Sequence, residues 1–580
     1  MEALRVDLSA GRHGHRGRRN TVRQRLRALL TVLACGAVIS GATGGYARAA
    51  HDAGGGRGGG PGAVAGTVAG TVVRTDAGRV GGRLGTDTRV FQGIPYAAPP
   101  VGPLRWASPR PAASWPGVRP ATEPGSRCAQ AAGLIDPPSD SEDCLYLNVT
   151  TPSHGTAHAL PVMVWIHGNG FINGAGSLYD AQRLAARGKV VVVSFNYRLG
   201  VLGFLAHPAL DHGPAQHLSG NFGLEDQQAA LRWVKRNAAA FGGDPANVTL
   251  FGESAGGTSV CAHLVAPGSA GLFQKAILQS AQCTGRKWSP GPPAWFPLPR
   301  AERERHGLAV AAGVGCSDLR TAAACLRDEP VEELVKWSDH ALGTGPTVGG
   351  DGDGDGDGDN GVLPVAPEQA FATGHFNRVP VVQGTTRDEH RLFTAAIEAV
   401  TGRTTTGADY RQQVGTLFAP ADADRVLARY PAARLRSPGE ALSAVVTDWA
   451  WGCPVLDRDR ALDRHTPLYA YEFDDAGAPW FSTLEKPDFP TGAFHGSELQ
   501  YLFADEQLPG PATPAQHRLA DTMVRYWARF ARTGDPNGPG TAPWPRFGTG
   551  RHVQSLRPGK TGRADLAREH RCAFWRTIGD

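Results

Sequence analysis

Beyond its first fifty residues the sequence has no apolar run that approaches the roughly 20 residues a membrane-spanning helix requires. It has no tight Cys-x-x-Cys pair, which sets aside the common structural zinc sites. Charge of one sign is also lacking: 59 Lys and Arg stand against 54 Asp and Glu, a formal +5. Many of those arginines fall within the first thirty positions. Neither a basic face nor a basic stretch interleaved with aromatics is present, so nothing resembles a nucleic-acid footprint. No internal repeat of solenoid or propeller period is visible. What the chain does have is 41% hydrophobic residues, enough to bury an extensive core. At 580 residues it is long for one domain, but large α/β sheets with insertions reach this size as a single unit.

The amino terminus reads as an export signal. Arg16, Arg18, Arg19, Arg23, Arg25 and Arg27 precede an apolar segment, residues 28–39, and small residues then end in Ala47-Arg48-Ala49. Cleavage is expected after Ala49, giving residues 1–49 as signal and a secreted mature chain. Arg18-Arg19 is followed by the insufficiently apolar Asn20-Thr21-Val22, so the pair reads as ordinary signal charge rather than a twin-arginine motif. Of nine cysteines, Cys35 leaves with the signal, and the remaining eight are best read as disulfides in an exported protein. Residues 50–66 are Gly-rich and form a lead-in that cannot bury apolar surface, which leaves residues 67–580 as one domain. Within it, residues 349–361 alternate Gly and Asp. Asp353, Asp355, Asp357 and Gly358 match the opening of a calcium loop, but its twelfth position is Pro364 rather than Glu, so the segment reads as a solvated insertion and no metal is expected.

Short β-branched or apolar runs at residues 162–166, 190–193, 248–251, 379–382 and 468–473 suit strands buried on both faces. Between the second and third, residues 224–241 place Leu231, Val234 and Ala238 on one helical stripe, with Gly242-Gly243 as a stop. Strand, helix, strand predicts a parallel α/β sheet. Gly252-Glu253-Ser254-Ala255-Gly256 follows the third run and precedes a helical stretch, residues 258–264. That is the context in which Gly-x-Ser-x-Gly forms a nucleophile elbow, a turn that lifts the serine out of the sheet. A serine nucleophile then needs, further along the chain, an acid and a histidine. Asp388 and Glu389 both follow the run at 379–382, and pattern does not separate them. His495 sits in Gly492-Ala493-Phe494-His495-Gly496, a loop after the run at 468–473. His167-Gly168-Asn169-Gly170-Phe171, after the run at 162–166, is placed to supply backbone donors to an oxyanion.

Longer motifs give a resemblance. Residues 91–97 (Phe-Gln-Gly-Ile-Pro-Tyr-Ala), 142–149 (Glu-Asp-Cys-Leu-Tyr-Leu-Asn-Val), Asn196-Tyr197-Arg198, Asn221-Phe222-Gly223-Leu224 with Asp226-Gln227, residues 251–257 and Asp388-Glu389 resemble, in order, the type-B carboxylesterase family. That family includes cholinesterases and bacterial broad-specificity esterases, and the match runs over most of the chain after the signal. The resemblance implies the α/β-hydrolase fold and a serine esterase with Ser254 as nucleophile, His495 as base and Glu389 as acid. It implies an oxyanion hole from the N–H groups of Asn169, Gly170 and Ala255, with Glu253 and Ser280 helping to hold the imidazole from behind. It also implies three bridges, Cys128–Cys144, Cys316–Cys325 and Cys453–Cys572. Cys261 and Cys283 have no assigned counterpart, and their pairing is a separate expectation. A small-molecule ester is the implied substrate, with no cofactor; oligomeric state stays open. Lipase, amidase or polyester hydrolase activity with the same triad is the alternative, and a non-catalytic binding protein on this fold is a further one.

Three departures from the family pattern stand out. Asn169 replaces the middle glycine of a Gly-Gly-Gly loop, His390 replaces a glycine after the acid, and the Gly-Asp insertion enlarges the segment before Glu389. Asn169 is expected to keep its backbone donor, because asparagine tolerates positive φ, while its amide adds bulk beside the oxyanion loop. The segment between Cys128 and Cys144 has no tryptophan, so the cation–π platform for choline is missing and a choline ester is not expected.

Overall fold

The computed structural model describes residues 70–133, 136–153, 158–211, 217–283, 296–338, 344–349, 361–504 and 508–579. The signal, the lead-in and all of the Gly-Asp insertion except its ends, Gly349 and Gly361, lie outside the described residues.

Eleven strands form the main sheet: β1 (Arg83–Leu84), β2 (Thr88–Pro95), β3 (Tyr146–Pro152), β4 (Leu160–Ile166), β5 (Val191–Phe195), β6 (Gly243–Glu253), β7 (Lys275–Gln279), β8 (Val381–Thr386), β9 (Leu468–Phe473), β10 (Val553–Leu556) and β11 (Gly562–Ala564). Their spatial order is β11-β10-β9-β8-β7-β6-β4-β5-β3-β2-β1. From β10 to β5 every pairing is parallel; β11 at one end and β3, β2 and β1 at the other run antiparallel. The outermost antiparallel pairs, β10–β11 and β1–β2, are joined by short segments without a helix, as antiparallel pairing allows.

The central strands alternate between two cores. Val162, Val164 and Ile166 of β4 pack on one side, with Val248, Leu250, Ala276 and Leu278. Met163 and Trp165 pack on the other, with Phe251, Ile277 and Tyr469. Apolar residues at every position are therefore what a doubly covered sheet requires. Helix α1 (Gln182–Gly188) covers the second face through Leu184 and Ala185, with the long helix Pro514–Thr533 beside it. Helices α2 (Phe222–Asn237) and α3 (Ala255–Val265) cover the first.

Several boundaries differ from the sequence reading, and two of them have a cause in particular residues. The stripe at 224–241 is helical only to Asn237, after which residues Ala238–Phe241 tighten into a 3₁₀ turn capped by Gly242 at φ 88°. The strand expected at 379–382 runs instead over Val381–Thr386. Pro380 lacks the N–H a central strand needs, and the second half, Gln383-Gly384-Thr385-Thr386, is polar yet fully buried, so periodicity alone ends the strand too early.

Candidate active site

Ser254 sits between β6 and α3 with φ 57° and ψ −122°, a conformation a residue with a Cβ adopts only under constraint. The constraint comes from its neighbours. A Cβ on Gly256 would lie 2.0 Å from the Ile166 carbonyl oxygen, and one on Gly252 would lie 2.6 Å from the Gly256 carbonyl carbon. Both flanking glycines are thus dictated by backbone passing over backbone. The Ser254 N–H donates to the Gln279 carbonyl at 3.0 Å, pinning the turn to β7. Ala255 is the first residue of α3, so its N–H has no intrahelical acceptor.

The loop after β4 lies directly against this turn: a Cβ on Gly168 would come within 3.1 Å of Ser254 Cβ. Asn169, Gly170 and Phe171 then follow with φ of 67°, 63° and 62°. The Asn169 amide, expected from sequence to add bulk beside the loop, also has a hydrogen-bond partner. It donates to Asp136 Oδ2 at 2.9 Å.

Glu389 follows β8 and is fully buried. Its Oε1 accepts from the Thr386 N–H at 2.9 Å and the Thr385 hydroxyl at 2.5 Å, while Oε2 meets His495 Nδ1 at 2.5 Å. Burial would raise its pKa, but the His495 imidazole and the hydrogen bonds from His495 and Thr385 hold it below its ordinary value. Asp388, which sequence could not distinguish from it, faces elsewhere. It exchanges two backbone-linked bonds with Ala493, at 2.9 and 3.0 Å, and pairs with Arg391, so it clamps the loop that carries the histidine.

His495 is buried between two aromatic rings, Trp451 at 4.9 Å and Phe393 at 5.1 Å. Its Nε2 lies 3.1 Å from Glu253 Oε1 but makes no hydrogen bond among the described residues. Burial alone would lower the imidazole pKa; the carboxylates of Glu253 and Glu389 outweigh it and raise the value. Glu253 in turn is raised by burial against Glu389 despite His495 nearby. Sequence reasoning missed Glu498, which is fully buried and accepts from Gln279 Nε2 at 3.2 Å, its pKa raised by burial and by Glu253 and Glu389. It also missed Trp451, which lies in a π-helical turn, Thr447–Gly452. Only the position of Glu498 three residues after His495 could have flagged the first; nothing local flagged the second.

All four cysteine pairs are joined: Cys128–Cys144, Cys261–Cys283, Cys316–Cys325 and Cys453–Cys572, with Cα separations of 4.8, 5.5, 5.7 and 5.4 Å. Among the described residues no helix is long and apolar enough to cross a membrane.

A parallel sheet with a strained serine turn at the end of a central strand, and an imidazole-carboxylate pair at the ends of later ones, defines an α/β-hydrolase. The chain belongs to the carboxylesterase family, whose model matches residues 69–575. It is similar to a cocaine esterase of Oryctolagus cuniculus, 36% identical over 520 residues, covering 85% of this chain and 92% of that one. It is equally similar to a para-nitrobenzyl esterase of Bacillus subtilis (strain 168), 36% identical over 470 residues, 79% of this chain and 88% of that one. Carboxylesterase 1E of Mus musculus is 34% identical over 521 residues, 84% of this chain and 88% of that one. The chain is a carboxylic-ester hydrolase.

Proposed function

We propose that the chain is a secreted serine carboxylesterase acting through an acyl-enzyme on Ser254. His495 takes the Ser254 proton as the hydroxyl attacks the ester carbonyl, then returns it to the departing alcohol. Water repeats the sequence on the acyl-enzyme, its proton going to His495 and then to Ser254. Glu389 stays ionised, fixes the imidazole with Nδ1 protonated and leaves Nε2 as base. The N–H groups of Asn169, Gly170 and Ala255 stabilise the oxyanion. His495 Nε2, without a hydrogen bond among the described residues, engages the Ser254 hydroxyl as substrate binds, since catalytic contacts tighten in the loaded enzyme. Glu253, 3.1 Å from Nε2, and Ser280 help to hold the imidazole.

The observation that carries this reading is the 2.5 Å contact between His495 and buried Glu389, with His495 Nε2 3.1 Å from Glu253, the residue before a serine held at positive φ. Export rests on the signal-like residues 1–49 and is supported by four disulfides. Residues 67–580 form the catalytic domain. A fluorophosphonate probe and a panel of aryl esters graded by acyl length test the catalytic part. Wild type should be labelled and turn over short esters, while Ser254→Ala should do neither at an unchanged melting temperature. Hydrolysis by Ser254→Ala within tenfold of wild type would refute the nucleophile. Mass measurement of the protein recovered from culture medium should give Ala50 as the first residue.

A further inference from the structure

The loop between β4 and α1 that would bind the oxyanion contains three successive residues at positive φ, two of which carry a Cβ. A non-glycine residue in this region is held at a cost, and a short solvent-facing loop does not supply the restraint by itself. Here restraint comes from a different part of the chain, the segment closed by Cys128–Cys144. Asp136 in that segment has a buried side chain, 3% exposed, and accepts from Asn169 Nδ2 at 2.9 Å. Arg127 Nη1 lies 3.9 Å from the other carboxylate oxygen. Further along the same loop, the Gln130 side chain closes a two-way pair with Gly174, accepting from its N–H at 2.9 Å and donating to its carbonyl at 3.0 Å. Asn173 Nδ2 donates to the Ala131 carbonyl at 2.7 Å. The oxyanion loop is therefore sewn to the disulfide loop at residues 169, 173 and 174.

We infer that Asp136 and Asn169 form a positioning pair, in which a buried carboxylate holds the oxyanion loop in its left-handed conformation through the asparagine that stands where a glycine would leave no handle. A hydrogen bond to an ionised group is shorter and stronger than a neutral one, and a buried carboxylate has no competing water. The pair fixes the two backbone donors at Asn169 and Gly170 before substrate arrives, which is what an oxyanion site requires. Neither side chain needs to touch substrate. The inference rests on the oxyanion role given to these N–H groups under Proposed function.

The test compares Asn169→Gly, Asp136→Asn, Asp136→Ala and the double variant Asn169→Gly/Asp136→Asn with wild type and Ser254→Ala, using p-nitrophenyl acetate and a trifluoromethyl ketone as oxyanion mimic. Asn169→Gly keeps the left-handed backbone but loses the tether, and Asp136→Asn keeps volume but loses the charge. Each single variant should lose about fivefold to tenfold in kcat with KM within twofold. Affinity for the ketone should fall in parallel, and melting temperatures should stay within a few degrees. The double variant should be no slower than the worse single one, because each breaks the same contact. Asp136→Asn, nearly isosteric, decides the matter if Asp136→Ala does not fold. Singles within twofold of wild type in kcat, losses confined to KM, or losses that multiply in the double variant overturn the pair. Those results with Ser254→Ala inactive reject the pair alone; an active Ser254→Ala rejects the catalytic reading beneath it.

Discussion

At the scale of single residues, the site is governed by how many negative charges share one imidazole. Glu389 alone would orient His495; with Glu253 Oε1 at 3.1 Å from Nε2, the protonated ring is favoured beyond its usual range. As the proposed base, His495 works only when neutral, so the acid limb of kcat/KM should lie above the ordinary imidazole value near 6.5 that an unperturbed histidine would give. Activity should rise with pH through that limb. Glu253→Gln removes one of the charges and should move the limb down by a unit or more, read from initial rates on a neutral ester between pH 5 and 10. An unmoved limb would show that Glu253 does not act on the base. The elbow glycines give a second expectation: Gly256→Ala drives a Cβ to 2.0 Å from the Ile166 carbonyl and should reduce turnover at least a hundredfold or prevent folding, as activity and soluble yield would report. The strained turn at Ser254 was legible from motif, and the Glu389–His495 contact from resemblance. The Asn169–Asp136 contact was not, since the two residues are 33 positions apart and neither belongs to a motif that names the other.

At the scale of elements, the turn Thr447–Gly452 joins the site to the carboxyl-terminal part of the chain. It adopts a π-helical step, a form often found beside functional sites, and presents Trp451 to His495 on one side and Asp448 on the other. Asp448 accepts from His570 Nδ1 at 2.6 Å, the Tyr430 hydroxyl at 2.7 Å and Arg571 at 2.9 Å, while His570 Nε2 reaches Glu472 of β9 at 2.7 Å. Burial alone would lower the His570 pKa, but Asp448 and Glu472 outweigh it and lift the value to about 10. With a folded value above the unfolded one, the stabilisation is complete below about pH 6.5 and is lost as pH rises through the folded value near 10. The wild-type melting temperature should therefore fall over that interval, and His570→Gln should flatten the fall. His570→Ala, which takes a buried charged partner from two carboxylates at once, should cost about 3–5 kcal/mol at pH 7 in urea denaturation. A loss under 1 kcal/mol would contradict the buried charged triplet. None of this was readable in sequence, because a histidine on a short terminal helix carries no sign of which carboxylates it will meet.

At the scale of the whole molecule, the covalent links set which losses matter most. Cys453–Cys572 spans 119 residues and Cys316–Cys325 only 9, so loop entropy assigns them about 5 and about 2.5 kcal/mol as upper figures. Replacing the first pair by serine should lower the melting temperature clearly more than replacing the second, at one scan rate; the reverse order would mean that native contacts, not chain entropy, dominate. Parallel strands, their helices and the serine turn were determined by the sequence itself, because apolar period and a Gly-x-Ser-x-Gly step act over a few neighbouring residues. The cysteine partners implied by family likeness, and the separate expectation for Cys261 and Cys283, agree with the pairs that form. Only the tertiary structure set Glu389 rather than Asp388 against His495, turned the Asn169 amide onto Asp136, extended β8 through a polar but buried stretch, and set Glu253 and Glu498 around one imidazole. Those outcomes depend on which distant groups share a desolvated space, where a charge or hydrogen bond gains its strength from surroundings that no local pattern encodes.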